Sequence, residues 1–240
     1  MKMKKKSFAI TFLVMVVLAA CANSGKKPAS TTNTEDVKMA AVPTSQVSEF
    51  TPFDVMEINH SVKDYAIWKK GFDIDSVARK ASGLEFIAIG KSLDNPNNLS
   101  IALRVADVQK AKAFAADPRL KDVMEKNGVV SKPEIAFWHV IKANLDSKEK
   151  NWVLITHKVK DFDAWLKVYD GEGTATRATY GLVDVVLARG IEDPNLVHIV
   201  FDISDMTKAK NRINDPALQK LMMDAGVEGA PKIEFYSQGE

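Results

Sequence analysis

The stretch H-S-V-K-D-Y-A-I-W-K-K-G-F occupies residues 60–72, and H-K-V-K-D-F-D-A-W-L-K-V-Y occupies residues 157–169. The second stretch repeats the first. The match then continues to the end of the chain, where P-E-I-A-F at 133–137 corresponds to P-K-I-E-F at 231–235. A unit of about 100 residues that occurs twice indicates two structurally similar halves. The repeat therefore decides the architecture, although it does not indicate a reaction.

Each half shows the same predicted order of elements. Alternating apolar and polar residues indicate strands, and Asp64 and Asp107 are good N-caps for the helices that follow them. Pro118 is compatible with a first helical position, and Gly128 can end that helix in the left-handed conformation. The resulting order β-α-β-β-α-β is that of the ferredoxin-like unit, so the predicted fold class is α+β. The predicted strands of the first half are Val55–Val62, Leu84–Lys91, Leu99–Val105 and Glu134–Ile141.

A ferredoxin-like unit covers one face of its sheet with helices and leaves the other face to be buried. The repeated pattern H-x-V-K-D-[YF]-x-x-W, followed by D-P-x-L and G-V-x-x-x-P, resembles small proteins of the dimeric α/β-barrel superfamily, of the antibiotic-biosynthesis-monooxygenase type. The resemblance covers residues 53–240 and implies a single-chain, pseudo-dimeric barrel with two sheets packed face to face. Relatives include monooxygenases, haem-degrading enzymes, muconolactone isomerases and stress-responsive proteins, so the fold alone indicates no function.

The N-terminus has the composition of an export signal. Four lysines in residues 1–6 precede an apolar run at 7–18 that is too short to span a bilayer. The sequence Leu-Ala-Ala-Cys that ends at Cys21 resembles the lipobox of bacterial lipoproteins. The resemblance implies cleavage before Cys21, a diacylglycerol on its sulfur and acylation of its new amino group, which together give a durable anchor. Cys21 is the only cysteine, so no disulfide is possible within one chain.

These features divide the chain into a signal peptide at 1–20, a lipidated cysteine and tether at 21–51, and repeats at 52–145 and 146–240. The tether is rich in Ser, Thr, Asn and Pro without apolar periodicity, which is typical of disorder. We expect the protein in the bacterial cell envelope, at the outer membrane or periplasmic face in a Gram-negative cell. The lipid bilayer is then a partner through the acyl chains on Cys21.

The charge of the mature chain argues against a nucleic-acid partner. Four of the 33 basic residues lie in residues 1–20, so 29 remain against 31 acidic residues. No cluster of basic residues with interleaved aromatic residues remains in the mature sequence. Since both barrel halves lie on one chain, we expect the folded part to be monomeric.

His60 and His157 are the candidate catalytic residues. Each lies at the end of the first strand of its repeat, four residues before an aspartate, Asp64 or Asp161. A neutral imidazole held by that aspartate could serve as a general base. Alternatively, the histidine bridges the strand end to the helix cap and has only a structural role.

Arg79, Arg177, Trp68 and Trp165 are candidate ligand-binding residues because they too occur in both repeats. An arginine opposite the histidine could clamp a carboxylate or phosphate, or it could interact with the negative end of the first helix. The tryptophans lie on an apolar helical stripe, which is more often core than a cofactor site.

Further ligand-binding candidates, which differ between the repeats, lie on the predicted inter-sheet face. They predict either an asymmetric pocket between the sheets or a set of inter-sheet ion pairs and hydrogen bonds. They are Arg104, with Glu57 and Trp138, in the first repeat, and His198 and Tyr236, with Asp184 and Asp202, in the second.

The sequence contains no metal-binding motif, no Gly-rich phosphate loop and no G-x-S-x-G, so we expect no metal, no cofactor and no serine-hydrolase chemistry. Three functions remain open. The first is a lipid-anchored envelope protein that binds a small-molecule ligand or a partner without catalysis, which is the interpretation we favour. The second is a cofactor-independent monooxygenase or isomerase. The third is a structural or interaction module with a solid barrel.

Overall fold

The computed structural model describes residues 50–146 and 149–239. The predicted signal peptide, Cys21 and residues 21–49 of the predicted tether lie outside the described residues. Expectations about export and lipidation therefore stay predictions.

The two repeats have the same order of secondary structure. Each contains four strands. The first helical connection, predicted as one helix, consists of two short helices, and the second restarts at Asp117-Pro118 as predicted. The first repeat comprises β1 (Phe53–Ser61), α1 (Tyr65–Ile74), α2 (Ser76–Ala81), β2 (Leu84–Ser92), β3 (Asn98–Val105), α3 (Val108–Ala115), α4 (Pro118–Lys126) and β4 (Glu134–Ala143). The second comprises β5 (Asn151–Val159), α5 (Phe162–Glu172), α6 (Thr174–Thr179), β6 (Leu182–Gly190), β7 (Leu196–Ile203), α7 (Met206–Ile213), α8 (Pro216–Asp224) and β8 (Val227–Gln238).

Local sequence signals account for the helix boundaries. The predicted N-caps are confirmed, because the side chain of Asp64 accepts a hydrogen bond from the backbone N–H of Ile67 and Asp107 caps α3 in the same way. Pro118 occupies the first turn of α4, where its missing N–H costs nothing. Gly128 follows α4 with φ +87°, which confirms the predicted left-handed stop.

The eight strands form one closed antiparallel barrel in the order β1-β3-β2-β8-β5-β7-β6-β4. Each repeat contributes four neighbouring strands, and the repeats join where β2 pairs with β8 and where β4 pairs with β6. Closure leaves no unpaired strand edge in the part of the chain that the structure describes. The predicted α+β class, with two ferredoxin-like repeats forming a single-chain α/β barrel, is therefore confirmed.

The apolar residues form three cores. One lies between the sheet and the helices of the first repeat, around Met56, Trp68 and Leu103. The second lies at the same place in the second repeat, around Trp165 and Phe201. A third, smaller core lies inside the barrel and joins the repeats through buried residues. These are Val55, Trp138, Val140 and Ala188.

A β-bulge changes one predicted orientation. The register of β6 against β7 shifts between Asp184 and Val186, so the side chains before the bulge no longer follow the alternation after it. Asp184 consequently pairs with Arg177 of α6 on the helix side of the sheet, and its predicted place on the inter-sheet face is wrong.

None of the helices within the described residues combines the length and the apolar character needed to cross a membrane.

Candidate functional site

The predicted site residues fall in three places. His60, Trp68 and Arg79 border a small cavity between the sheet and the helices of the first repeat, which we name the repeat-1 cavity. The equivalent residues of the second repeat, His157, Trp165 and Arg177, border the repeat-2 cavity. Arg104 and His198 line the barrel cavity, between the two sheets. Tyr236 is buried near Gly90 of β2, where its ring would meet any Cβ placed on that glycine.

The two helix-side cavities differ greatly in size. The repeat-1 cavity has a volume of about 40 Å³, whereas the repeat-2 cavity has about 500 Å³. Met223 at the margin of the repeat-2 cavity is 63% exposed, so this cavity opens to the surface and is filled by solvent or by a ligand.

Substitutions between the repeats explain the difference. Phe114 of α3 lines the repeat-1 cavity and packs against its core. The second repeat has Arg212 at the matching position, and its Nη2 donates to Glu172 Oε1 at 2.7 Å, while its guanidinium lies over the Tyr180 ring at 4.5 Å. The ion pair with Glu172 thus holds Arg212 at the margin of the repeat-2 cavity. A phenylalanine at this position, like Phe114 in the first repeat, would fill part of the cavity.

Smaller residues widen the repeat-2 cavity further. Ala225 replaces Asn127, whose side chain lies against the helix α1 and borders the repeat-1 cavity. Gly229 and Ala230 line the repeat-2 cavity at the positions where the first repeat has Ser131 and Lys132.

The histidines are not held by the aspartates that follow them. No described residue gives His60 a hydrogen bond at either ring nitrogen, and His157 Nε2 also has none. Asp161 instead caps α5 by accepting from the backbone N–H of Ala164. Both predicted alternatives required a hydrogen bond between the histidine and the following aspartate. The structure has no such hydrogen bond, so neither alternative is correct on this point.

Burial determines the electrostatics of these histidines. Each is 6–7% exposed, and its ring makes an edge contact with a tryptophan, His60 with Trp68 at 5.4 Å and His157 with Trp165 at 5.3 Å between centroids. Desolvation lowers the pKa of each histidine to about 4. The imidazoles are therefore neutral at pH 7.

The arginines interact with the helix ends, as one of the two predicted alternatives proposed. Arg79 Nη1 donates to the carbonyl oxygen of Phe72 in the last turn of α1, and Arg177 Nη1 donates to that of Tyr169 in α5, both at 2.7 Å. Arg177 also forms two hydrogen bonds with Asp184, at 2.7 and 2.6 Å. Arg177 is fully engaged, so it stabilises the scaffold of the repeat-2 cavity.

Two buried polar atoms beside the repeat-2 cavity have no partner among the described residues. They are His157 Nε2 and Trp165 Nε1, from residues that are 6% and 0% exposed. Buried polar groups normally find hydrogen-bond partners because leaving one unpaired costs about 1–3 kcal/mol. The rest of the lining is largely apolar, with Ile155, Ile199 and Phe201 on the sheet side. The cavity thus suits a neutral, mainly apolar molecule.

The barrel cavity has different chemistry. Its volume is about 890 Å³, and Glu57 of β1 lies within it with only 6% of its surface exposed. Trp138 Nε1 donates to Glu57 Oε2 at 2.8 Å, and Ser100 Oγ donates to Glu57 Oε1 at 3.1 Å. The His198 ring stacks on Trp138 at 4.5 Å, and its Nδ1 lies 3.0 Å from Thr156 Oγ1.

The Glu57 carboxylate stays ionised in this environment. Burial raises its pKa, but the neighbouring His198 and the hydrogen-bond donors outweigh that effect, so the pKa lies below its ordinary value. Burial lowers the pKa of His198 more than the carboxylate raises it. Glu57 and His198 therefore form one buried pair 3.9 Å apart, in which a charge on either group favours the opposite charge on the other.

The sequence did not reveal some residues that shape these cavities. Trp152, Met222 and Gly229 were not recognised as lining residues. A position-by-position comparison of the repeats could have identified Gly229, where a small residue replaces Ser131. Within residues 50–146 and 149–239, no group of three His, Cys, Asp or Glu residues is placed to hold a metal ion.

No family model matches the chain, and no curated protein matches it. The search of solved structures finds the same fold in proteins of low sequence identity. A provisionally assigned chlorite dismutase has a TM-score of 0.53 at 14% identity, with 79% of this chain and 96% of that chain covered. A provisionally assigned monooxygenase from Fusobacterium nucleatum has a TM-score of 0.51 at 12% identity, covering 78% and 92%. A heme-binding protein from Thermus thermophilus has a TM-score of 0.50 at 10% identity, covering 79% and 92%. These similarities show that the chain shares the ferredoxin-like α/β-barrel fold with these proteins, and they concern the fold alone.

Proposed function

We propose that this protein is a lipid-anchored protein of the bacterial cell envelope that binds a small, mainly apolar ligand in the repeat-2 cavity. The N-terminal lipobox-like sequence at Cys21 supports the anchor. Intact-mass analysis of detergent-extracted protein should find the chain starting at Cys21 with acyl chains attached. A Cys21→Ala protein that stayed fully membrane-associated would contradict the anchor.

The size and the apolar lining of the repeat-2 cavity are the observations that carry the binding proposal. A volume of about 500 Å³ lies in the range of small-molecule sites, of about 300–1,000 Å³. The charged groups at the margin already pair with each other, so the site suits a neutral ligand.

A cofactor-independent monooxygenase or isomerase is the second candidate. Two observations favour it: the cavity lies between helices and sheet, and one protein of the same fold is assigned as a monooxygenase. The low pKa of His157 weakens it, because a base with a pKa of about 4 removes protons poorly at pH 7. Binding without turnover is therefore the function that the geometry supports best.

A matched pair of substitutions tests the binding proposal. Met222 borders the repeat-2 cavity, and Met124 occupies the same position at the repeat-1 cavity. With 1-naphthol as an apolar probe that carries one hydroxyl, calorimetry on the purified full-length protein should detect binding. Met222→Trp should abolish it with little loss of stability, because the large cavity accommodates the indole.

The Met124→Trp control should show the opposite pattern. A cavity of about 40 Å³ cannot hold the added ring, so overpacking should cost about 1–3 kcal/mol of stability while the probe still binds. Equal destabilisation by both substitutions, with 1-naphthol bound as before by Met222→Trp, would overturn the proposed site. Oxygen consumption with a hydroquinone substrate, lost on His157→Phe, would instead support the enzyme.

A further inference from the structure

The first repeat carries a group of large apolar side chains that face solvent. Ile74 of α1 and Val77 of α2 are 79% and 76% exposed. Ile67, seven residues before Ile74 and on the same face of α1, is more than half exposed. So is Phe86 of β2, whose ring contacts that of Phe72 at 6.1 Å between centroids. We name Ile67, Ile74, Val77 and Phe86 the repeat-1 patch. Clusters of exposed apolar side chains mark protein or membrane interaction sites.

The matching positions of the second repeat do not form such a patch. The residues that correspond to Ile67, Val77 and Phe86 are small or charged, namely Ala164, Ala175 and Asp184. The helices α5 and α6 nevertheless form as α1 and α2 do. The fold of a repeat therefore does not require the apolar residues of the repeat-1 patch, and a contact made by one repeat alone accounts for them.

The patch lies at the end of the barrel where the described chain begins. Asp54 of β1 and Leu84 of β2 both pair with Val105 of β3, so β1 and β2 start at the same end of the sheet. Helix α2 leads into β2 at that end, and the described chain begins there at Phe50. The segment that leads back to Cys21 therefore joins the folded part at this end of the first repeat.

The proposed lipid anchor keeps a bilayer within reach of the patch. Phe50 lies 29 residues after Cys21, and a random coil of that length spans roughly 30 Å on average. Attachment at one point raises the effective concentration of the bilayer at a second contact. A weak apolar contact is then sufficient to orient the folded part on the membrane.

The charges around the patch favour the same contact. Lys70 of α1 and Lys80 of α2 are exposed beside the apolar residues. The acidic side chain of Asp73 is paired with Lys69, whose Nζ lies 2.7 Å from the carboxylate. Exposed lysines beside an apolar surface attract the anionic head groups of a bilayer.

We propose that the repeat-1 patch is the surface through which the folded part of the protein contacts the bilayer, with Ile74 and Val77 at the acyl boundary and the lysines at the head groups. The contact rests on the proposed lipid anchor, which holds the patch near the membrane. The strands of the two repeats occupy opposite halves of the barrel. In this orientation the helices of the second repeat, and with them the repeat-2 cavity, face away from the bilayer.

Fluorescence quenching in vesicles tests the contact on the purified lipid-modified protein. Cys21 is the only cysteine and its sulfur is blocked by lipid, so a thiol-reactive fluorophore labels only an added cysteine. Val77→Cys carries the label in the patch, and Ala175→Cys, exposed at the matching position of the second repeat, is the control. The vesicles contain phosphatidylethanolamine, phosphatidylglycerol and a lipid with a nitroxide near its head group.

We expect the nitroxide to quench the label at residue 77 at least about threefold more than the label at residue 175, because an interfacial apolar face is buried about 5–10 Å into the bilayer. Equal quenching of the two labels, or no quenching of either, would overturn the contact. Energy transfer between labelled copies, without quenching by the lipid, would make the patch an interface between copies and would also overturn it.

A substitution within the patch tests whether its apolar character holds the contact. Ile74→Glu, in the protein labelled at residue 77, should lower the quenching at least about twofold, because a charged side chain is costly in the apolar part of a bilayer. Leu221→Glu is the control, since Leu221 is an exposed apolar residue on α8 of the second repeat. Circular dichroism establishes that both variants are folded. Equal quenching in the two variants would contradict the role of the patch.

The intact mass of each sample separates this proposal from the anchor itself. Acyl chains on Cys21 together with equal quenching of the two labels would overturn the patch and leave the anchor in place. A chain that carries no acyl groups, and takes up a second fluorophore at Cys21, would overturn the anchor and the bilayer contact that rests on it.

Discussion

At the scale of single residues, the two repeated histidines act against stability at low pH. His60 and His157 take up a proton at pH about 6.5 when unfolded but only at about 4 when folded. Between these values the unfolded chain holds more protons, so the free energy of unfolding falls as the pH drops from 7 towards 4. A buried histidine without hydrogen bonds therefore lowers the free energy of unfolding when the solution is acidified.

This sign gives a testable pH dependence. His60→Phe and His157→Phe should each remove roughly 2 kcal/mol of the stability lost between pH 7 and pH 5, and the double variant should remove about twice as much. Urea unfolding at the two pH values measures the difference. Single variants that lose as much stability on acidification as the wild type would show that these histidines are protonated in the folded protein.

The arginines give a second residue-scale contrast. Arg177 is 4% exposed and forms two hydrogen bonds with Asp184. The first repeat has Phe86 at the position equivalent to Asp184, so Arg79 has no such carboxylate partner there. Its guanidinium lies over the Phe72 ring instead, at 3.6 Å from the centroid. Arg177→Met should therefore cost about 3–5 kcal/mol, because it leaves a carboxylate in a partly buried place without its partner. Arg79→Met should cost about 1–2 kcal/mol, through one lost helix-end hydrogen bond. Chemical denaturation of both variants should give this order, and equal losses would contradict it.

At the scale of elements, the sequence contained enough to predict the strands and caps. Asp64 and Asp107 cap helices as expected because capping depends on residues within one turn. The bulge in β6 was not predictable, since nothing in the local pattern around Asp184 marks where the register shifts. Asp184 then reaches Arg177 on the helix side, and the inter-sheet face loses one of its predicted acids.

The cavities depended on contacts that no local pattern encodes. Arg212 leaves the repeat-2 cavity open because Glu172, from the C-terminal end of α5, holds its guanidinium. Because Glu172 and Arg212 are 40 residues apart, the sequence shows only that Arg212 replaces Phe114 of the first repeat and not the ion pair that holds it. The repeated residues His60, Trp68 and Arg79 were predictable by comparison of the halves, but the large difference in the space beside them was not.

At the scale of the whole molecule, the barrel predicts how the pieces behave apart. β2 pairs with β8 and β4 pairs with β6 across the two repeats, so a single repeat has two open edges and one uncovered sheet face. Residues 52–145 expressed alone should therefore dimerise or aggregate, whereas the full chain should be monomeric. Analytical ultracentrifugation distinguishes these outcomes, and a stable soluble monomer of the isolated repeat would contradict the need for the second sheet.

The barrel closes through a strand that comes late in the chain. β8 follows the other seven described strands along the chain, and it pairs with β5 along most of its length and with β2 through Gly90, Lys91 and Ser92. The ring cannot be completed until β8 has left the ribosome, and every earlier stage exposes an open edge. Late closure of this kind delays the stable state during synthesis. A chain that must cross a membrane in an extended form would gain time from that delay.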